Sequence, residues 1–345
     1  MLGHTWRLID CPLPTWLGTF ILAFNMPLFV VLSGYVCSHG LDKMNSMSGA
    51  SNYILSCAER ILVPAAFMQS ASEILIWIFN LRPYSHGIIL HVLVVLVFVL
   101  VSVRFKEYLK SLAFLSIVIC VYTNKFWFLS MLFWVMVTAA ICFYICRLLQ
   151  VKRQNVIFPL LCFIASLLVS RIYDKTSDFI LYYVAGYYLY QYDVFENRIF
   201  KAKYATPVIF ICSIILLIGG GEYMMNFWGY HFFDYIRSGD LHFYLLRYVC
   251  GLLLSMFFIV LIKEYFNTYS LFSKCGTFTL AFYTVHAVTI PFIKSLGIKL
   301  SLNDFQYMLY CIPTTAVWVT LCAAFILEVN KARVFRFLIL GKKMQ

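Results

Sequence analysis

The chain has 345 residues, of which 63% are hydrophobic and only 12% charged, with a net charge of +12 and a mean hydropathy of +0.85. Soluble domains average about 45–50% apolar and about 25% charged residues, so this composition excludes an ordinary cytosolic enzyme, a disordered chain and a secreted disulfide scaffold. The apolar runs are continuous and do not alternate, which argues against a β-barrel. The predicted fold class is all-α: a polytopic bundle of transmembrane helices in a single integral-membrane domain over residues 1–345.

The apolar runs are taken as spans, because a helix needs about 20 apolar residues to cross a bilayer. In chain order they are 17–38, 58–80, 87–103, 111–122, 126–149, 156–171, 178–191, 204–221, 243–262, 277–293 and 306–328. The runs 111–122 and 178–191 are short and are expected to be partial or tilted helices. The aromatic, polar stretch 222–242 is predicted to be an interfacial loop or a short surface helix. About 10–11 spans are therefore expected.

Basic residues are unevenly divided between the two sides of this layout. With loops numbered from zero at the N-terminus, the odd loops and the C-terminal tail hold about two-thirds of the 27 Lys and Arg. Cytoplasmic loops are enriched in these residues, so the odd loops and the C-terminus are predicted to be cytoplasmic. This distribution accounts for the positive charge without a nucleic-acid partner. It also puts residues 1–15 outside, which predicts either that one span is miscounted or that a helix preceding Met1 is missing.

Polar side chains lie inside the predicted spans at Asn25, Glu73, His91 and His286. Such residues are costly to bury in a membrane and are often functional, although each taken alone is equally explained as a hydrogen bond between helices. Most of the 12 cysteines lie in apolar stretches, where Cys packs as a small hydrophobic residue. No cluster of His or Cys accompanies them, so no metal site is predicted.

Several short motifs follow one another along the chain. They are GH at 3–4, FNMPLFVVLSGY at 24–35, ERILVP at 59–64, FWFLSMLF at 126–133, YYVAGYYL at 182–189 and TFTLAFYTVHA at 277–287. This series resembles the acyltransferase-3 family of integral-membrane acyltransferases. The MPLF and LSGY elements are its most specific part, whereas the Gly-His pair is weak alone. The resemblance covers essentially the whole chain.

The resemblance implies an enzyme of the bacterial inner (plasma) membrane that transfers an acyl group other than an aminoacyl group, typically acetyl. The donor would be acyl-CoA, a co-substrate and not a bound cofactor, and the acceptor a hydroxyl of a surface polysaccharide or lipid-linked sugar. His4 matches the family's essential histidine and would be the catalytic general base, since imidazole has an ordinary pKa of about 6.5. Arg60 would bind CoA phosphates, and Trp127 and His286 match further positions of the acyl-CoA site. Membrane lipids are the remaining expected partners.

Three residues are expected to support this site: Asn25, Glu73 and Tyr283. Asn25 stands where many members carry His, and Glu73 would orient an imidazole or pair with an Arg. A structural hydrogen bond remains as good an interpretation of His286 as a role in the reaction. No Ser or Cys stands in a recognisable nucleophile setting, which favours direct transfer without an acyl-enzyme.

The chain departs from the family pattern at its start. The family's opening helix carries an Arg before the essential His, and here only three residues precede His4. We expect most of that helix to be missing, and a chain that truly lacks it to be inactive. The alternative function is a non-enzymatic transporter or flippase of glycan or lipid. That alternative predicts internal repeats, and the sequence shows none.

Overall fold

The chain is helical wherever its structure is described. The computed structural model describes residues 15–79, 87–104, 108–122, 127–151, 154–171, 173, 175–194, 205–219, 232–263, 281–286, 288–289 and 304–341. Of these residues 91% are helical and none lies in a strand. The all-α prediction is therefore confirmed.

The helices are numbered here in chain order. They are α1 (Thr15–Asp42), α2 (Met47–Ile78), α3 (Ile88–Arg104), α4 (Leu109–Tyr122), α5 (Trp127–Leu148), α6 (Gln154–Val169), α7 (Thr176–Gln191), α8 (Ala205–Gly219), α9 (Phe232–Ser238), α10 (Leu241–Leu261), α11 (Asp304–Val329) and α12 (Arg333–Leu340). Residues 281–286 and 288–289 are also helical. Each predicted apolar run thus coincides with a helix in the described part of the chain, and α9 supplies the short helix expected within 222–242.

Four of the described helices are long and apolar enough to cross a membrane. They are Ala23–Asp42 within α1, then α2, α5 and α10. Shorter apolar helices occur at Ile88–Arg104, Lys110–Cys120, Gln154–Val169 and Pro313–Val329. The chain is accordingly a polytopic helical membrane protein.

Helix α2 begins earlier than the apolar run alone predicts. It starts at Met47, and Ser46 caps it, because the Ser46 hydroxyl accepts a hydrogen bond from the backbone N–H of Gly49 at 3.1 Å. Arg60 consequently lies inside a continuous helix and not in a loop before one. Pro64 is also accommodated within the same helix.

The chain divides into two compact units. Unit one comprises the described residues within Leu55–Phe133 and Ser273–Gln345, and unit two those within Pro14–Ile54 and Trp134–Phe272. A single acyltransferase domain over 1–345 stays a prediction.

In unit two, α1 and α7 touch backbone to backbone. A Cβ atom added to Gly34 would overlap the carbonyl of Tyr183, and one added to Gly186 would overlap the carbonyl of Val31. Glycine is required at both places because no other residue lets two helices approach so closely. The Ser-Gly pair at 33–34 is thus a packing device.

Helix α10 also packs on α1 in unit two. Its Gly251 faces the Ala23 carbonyl, and Ala23, Cys250 and Leu254 form a small buried cluster. Tyr182 of α7 donates a hydrogen bond to the Arg247 carbonyl of α10 at 3.3 Å. Unit two is therefore held together by small residues and by tyrosines that satisfy backbone carbonyls.

In unit one, larger side chains connect the helices. His91 Nδ1 of α3 lies 3.2 Å from the Ser70 hydroxyl of α2, which confirms His91 as a hydrogen-bonding residue between helices. The C-terminal helix α12 ends at Gly341, whose φ of +64° is left-handed, as at many helix C-termini. A Cβ there would overlap the Arg60 carbonyl, so the residue that ends α12 touches α2, while α12 itself packs against α3 and α11.

Candidate active site

His286 is buried in unit one at the end of the 281–286 helical turn and is only 5% exposed. Its Nδ1 lies 2.7 Å from the Phe282 carbonyl oxygen one helical turn earlier. A carbonyl oxygen can only accept a hydrogen bond, so Nδ1 carries a proton and donates it. The backbone of its own helix therefore fixes the ring orientation and keeps a proton on Nδ1.

A short chain of hydrogen bonds leads from His286 to α11. Thr289 donates its hydroxyl proton to the His286 carbonyl at 2.8 Å, and the Trp318 indole N–H donates to the same hydroxyl at 2.8 Å. Trp318 is 5% exposed. The 281–289 segment is thus tied to α11 by a partly buried polar link.

Aromatic rings surround the imidazole. The Tyr283 ring lies 5.4 Å from the His286 ring and the Trp318 ring 5.8 Å from it, both edge-to-face. Phe128 of α5 contacts Tyr283 at 5.4 Å and its neighbour Trp127 at 5.9 Å. Three predicted site residues, Trp127, Tyr283 and His286, therefore belong to one aromatic cluster, which we call the His286 cluster together with Phe128, Thr289 and Trp318.

The His286 cluster fits both interpretations of the histidine. Its Nδ1 bond to Phe282 is the structural hydrogen bond expected of a buried polar residue. An imidazole held at a fixed angle by two rings is also preorganised to bind or to exchange a proton. The geometry therefore makes His286 a positioned group, and only a measurement of activity separates the two roles.

Arg60 lies elsewhere in unit one. Its side chain is exposed, and its backbone carbonyl lies against Gly341 at the end of α12. An exposed guanidinium can bind phosphate oxygens bidentately. The sequence pattern gave no indication that α12 would lie beside it.

Glu73 and Arg60 are on the same helix but do not form a pair. They are 13 residues apart in α2, which corresponds to about 20 Å along the helix axis. Glu73 is half-buried, one turn beyond Ser70, the residue that contacts His91. Arg60 is therefore too distant to pair with Glu73, and the expectation that Glu73 orients an imidazole or pairs with an Arg stays a prediction.

Asn25 belongs to unit two. Its side-chain oxygen accepts a hydrogen bond from the backbone N–H of Met26 at 2.7 Å. This local bond satisfies part of the amide within α1, two residues before Pro27. His4 lies outside the described residues, and its role stays a prediction.

Sequence reasoning missed Thr289 and Trp318. Thr289 follows His286 by three residues, which places both on one helix face. This spacing could have identified Thr289 from the sequence. No sequence feature pointed to Trp318, because its contact with Thr289 depends on how α11 packs. Within the described residues, no group of three or more His, Cys, Asp or Glu side chains could hold a metal ion.

Comparison with known proteins adds one match. The acyltransferase-3 family model, which describes an acyltransferase domain, matches residues 1–329. No curated protein and no solved structure matches the chain. Since the family match covers nearly the whole sequence, together with its apolar helices, the chain belongs to the acyltransferase-3 family of membrane acyltransferases.

Proposed function

We propose that this membrane acyltransferase moves an acyl group, typically acetyl, from cytoplasmic acyl-CoA to a hydroxyl of a surface polysaccharide or lipid-linked sugar. The observation that carries the proposal is the family match over residues 1–329. The His286 cluster supports it, because it holds an imidazole in a buried aromatic setting. We place the protein in the bacterial inner membrane with its C-terminus in the cytoplasm, in keeping with the basic residues of the tail.

The proposed reaction is a direct transfer. The acceptor oxygen attacks the thioester carbonyl carbon while His4 removes the hydroxyl proton as general base. The new C–O ester bond forms, the C–S bond breaks, and the CoA thiolate leaves and takes up a proton. His4, now protonated, returns its proton to solvent or to the thiolate.

The other site residues bind and orient the donor in this proposal. Arg60 is exposed on α2 beside the C-terminus of α12, and it binds CoA phosphates. Trp127 and His286 line the approach to the thioester, and Tyr283 supports His286 through their edge-to-face contact. Asn25 and Glu73 keep supporting roles.

The test is a transfer assay on inverted membrane vesicles that carry the full chain. Vesicles are incubated with radiolabelled acetyl-CoA, and label in the glycan or lipid-linked sugar fraction is counted. The His4→Ala variant should lose transfer while its amount in the membrane is unchanged. Full transfer by that variant would remove His4 from the mechanism, and the absence of any label in wild-type vesicles with acetyl- and longer acyl-CoA donors would overturn the proposed reaction.

A further inference from the structure

Unit one contains an apolar cavity of about 500 Å³. Its walls are α2 between Phe67 and Leu75, the segment around Val288, α11 between Trp318 and Phe325, and Ile339 of α12. A cavity of this size falls within the usual range for bound small molecules, about 300–1,000 Å³. The side chain of His286 does not line the cavity, although Val285 and Val288 on either side of it in the sequence do.

The polar atoms of the wall are already engaged with the protein. The Trp318 indole N–H donates to the Thr289 hydroxyl, and that hydroxyl donates to the His286 carbonyl. A sugar or the amides of a pantetheine arm would lose their hydrogen bonds to water here and gain few in return, at a cost of about 1–3 kcal/mol per group. The cavity therefore selects a hydrocarbon occupant.

The cavity opens sideways. Phe67 and Trp318 on its inner wall are each 5% exposed, whereas Leu321 and Phe325 of α11 are 64% and 46% exposed. In a membrane-spanning protein, apolar side chains exposed on a helix face the lipid chains. A hydrocarbon chain can thus enter from the bilayer without crossing water.

One end of the cavity adjoins a basic segment. Ile339 lies in α12, whose residues Phe337–Leu340 are buried while its first residue, Arg333, is exposed. The C-terminal half of α12 is therefore packed within the protein, whereas its N-terminal end, which carries Arg333, is exposed. Arg333 and Arg336 are three residues apart and share one side of α12, whereas the nearby Lys331 is already paired with Glu328 at 2.6 Å.

We propose that this cavity binds one hydrocarbon chain of an anionic membrane phospholipid, whose negatively charged head lies against Arg333 and Arg336. Apolar lining, lateral opening and adjacent positive charge each match a part of such a lipid. The lipid chain contacts α2, α11 and α12, and it lies beside Trp318 and Thr289, which link the 281–289 segment to α11. The inference stands apart from the transfer reaction, because neither the donor nor the acceptor enters this cavity.

The test uses Trp318 as a contact reporter. The full chain is reconstituted into vesicles of phosphatidylcholine to which phospholipid with brominated chains is added, and quenching of tryptophan fluorescence is measured. Subtracting the signal of the Trp318→Phe variant isolates the Trp318 component. Each basic residue near a surface contributes enough attraction that two of them should favour brominated phosphatidylglycerol over brominated phosphatidylcholine by about 30-fold.

Two pairs of variants make the test specific. Ala71→Phe fills the cavity and should abolish Trp318 quenching by both lipids, whereas Ala324→Phe, at an exposed position of α11 that does not line the cavity, should leave it unchanged. Replacing both Arg333 and Arg336 with Gln should make the two lipids equal, while Arg237→Gln, an exposed arginine of α9, should not. The arginine variants leave the cavity wall intact, so they decide the proposal even if Ala71→Phe fails to fold.

Three outcomes would overturn the proposal. Equal quenching by the two lipids in the wild type would show that no anionic head is recognised. Unchanged quenching in a folded Ala71→Phe protein would place the lipid chain outside the cavity. Displacement of the brominated lipid by long-chain acyl-CoA, and not by phosphatidylglycerol, would identify the occupant as the acyl chain of a donor.

Discussion

The two compact units are held together in different ways. In unit two, α1 and α7 meet at Gly34 and Gly186 with backbone against backbone. Aromatic contacts occur in both units, but unit one also holds the aromatic cluster around His286 and an apolar cavity. The difference teaches that a small-residue crossing tolerates no added volume, whereas the packing of the helices in unit one leaves room for a ligand and holds an imidazole at a fixed angle.

The largest expected effect concerns the chemistry of unit one. We expect His286→Gln to lower kcat/KM for acyl-CoA about 100-fold, if the imidazole binds or exchanges a proton in the reaction. The measurement is initial rates in vesicles at varied acyl-CoA. His91→Gln is the matched control, because His91 lies between α2 and α3 and contacts Ser70, and it should retain activity. Equal activity of the two variants would assign His286 a structural role.

The second effect tests the close crossing of unit two. Gly34→Ala and Gly186→Ala should each lower the free energy of unfolding by about 1–3 kcal/mol, because the added Cβ overlaps a carbonyl of the facing helix. Gly49→Ala is the control, since its Cβ would make only ordinary contacts. It should be neutral or stabilising by about 0.4–1 kcal/mol. Denaturant unfolding in detergent measures both, and stabilisation by all three substitutions would contradict the crossing.

A third effect concerns the contact between Gly341, at the end of α12, and the Arg60 carbonyl of α2. Gly341→Ala should destabilise the protein by more than the roughly 1–2 kcal/mol that a left-handed conformation costs a residue with a Cβ, because its Cβ also meets the Arg60 carbonyl. Gly239→Ala provides the comparison, since Gly239 has a φ of +79° with nothing near its Cβ position. Equal losses in thermal unfolding would mean that the contact with Arg60 contributes nothing.

The smallest effect concerns the link between the 281–289 segment and α11. Thr289→Val removes the acceptor of the Trp318 indole N–H and should lower the free energy of unfolding by about 1 kcal/mol. Thr320→Val is matched, because the Thr320 hydroxyl donates only to the Ala316 carbonyl of its own helix. A shift in the Trp318 fluorescence maximum in Thr289→Val alone would accompany the loss. No difference between the variants would argue against this link.

Much of the fold could be predicted from apolar runs, because a helix that crosses a bilayer satisfies its own backbone and needs only length and hydrophobicity. The start of α2 was missed since residues 47–57 are only moderately apolar and Ser46 acts through a cap. Helix α12 was missed because eight residues within a basic tail form a helix only when their apolar side is buried.

The candidate site was less predictable for a similar reason. Motif order selected Tyr283 and His286, which are neighbours on one turn, and Trp127, and the structure brings the three together through Phe128. The contact with Trp318 depends on tertiary packing alone. The distance between Arg60 and Glu73 could have been calculated from their spacing in the sequence, had both been assigned to one helix.

The length of α2 has a consequence of its own. Its 32 residues make a rod of about 48 Å, while the hydrocarbon layer of a bilayer is about 30 Å thick. When the apolar part of α2 from residue 58 onward fills the layer and the helix is not tilted, about three turns at the Met47 end project beyond it, which brings Arg60 near the level of the lipid heads. A thicker membrane would draw this arginine towards the hydrocarbon layer, and a thinner one would move it out towards water. Bilayer thickness would then change how readily Arg60 can bind a phosphate-bearing donor.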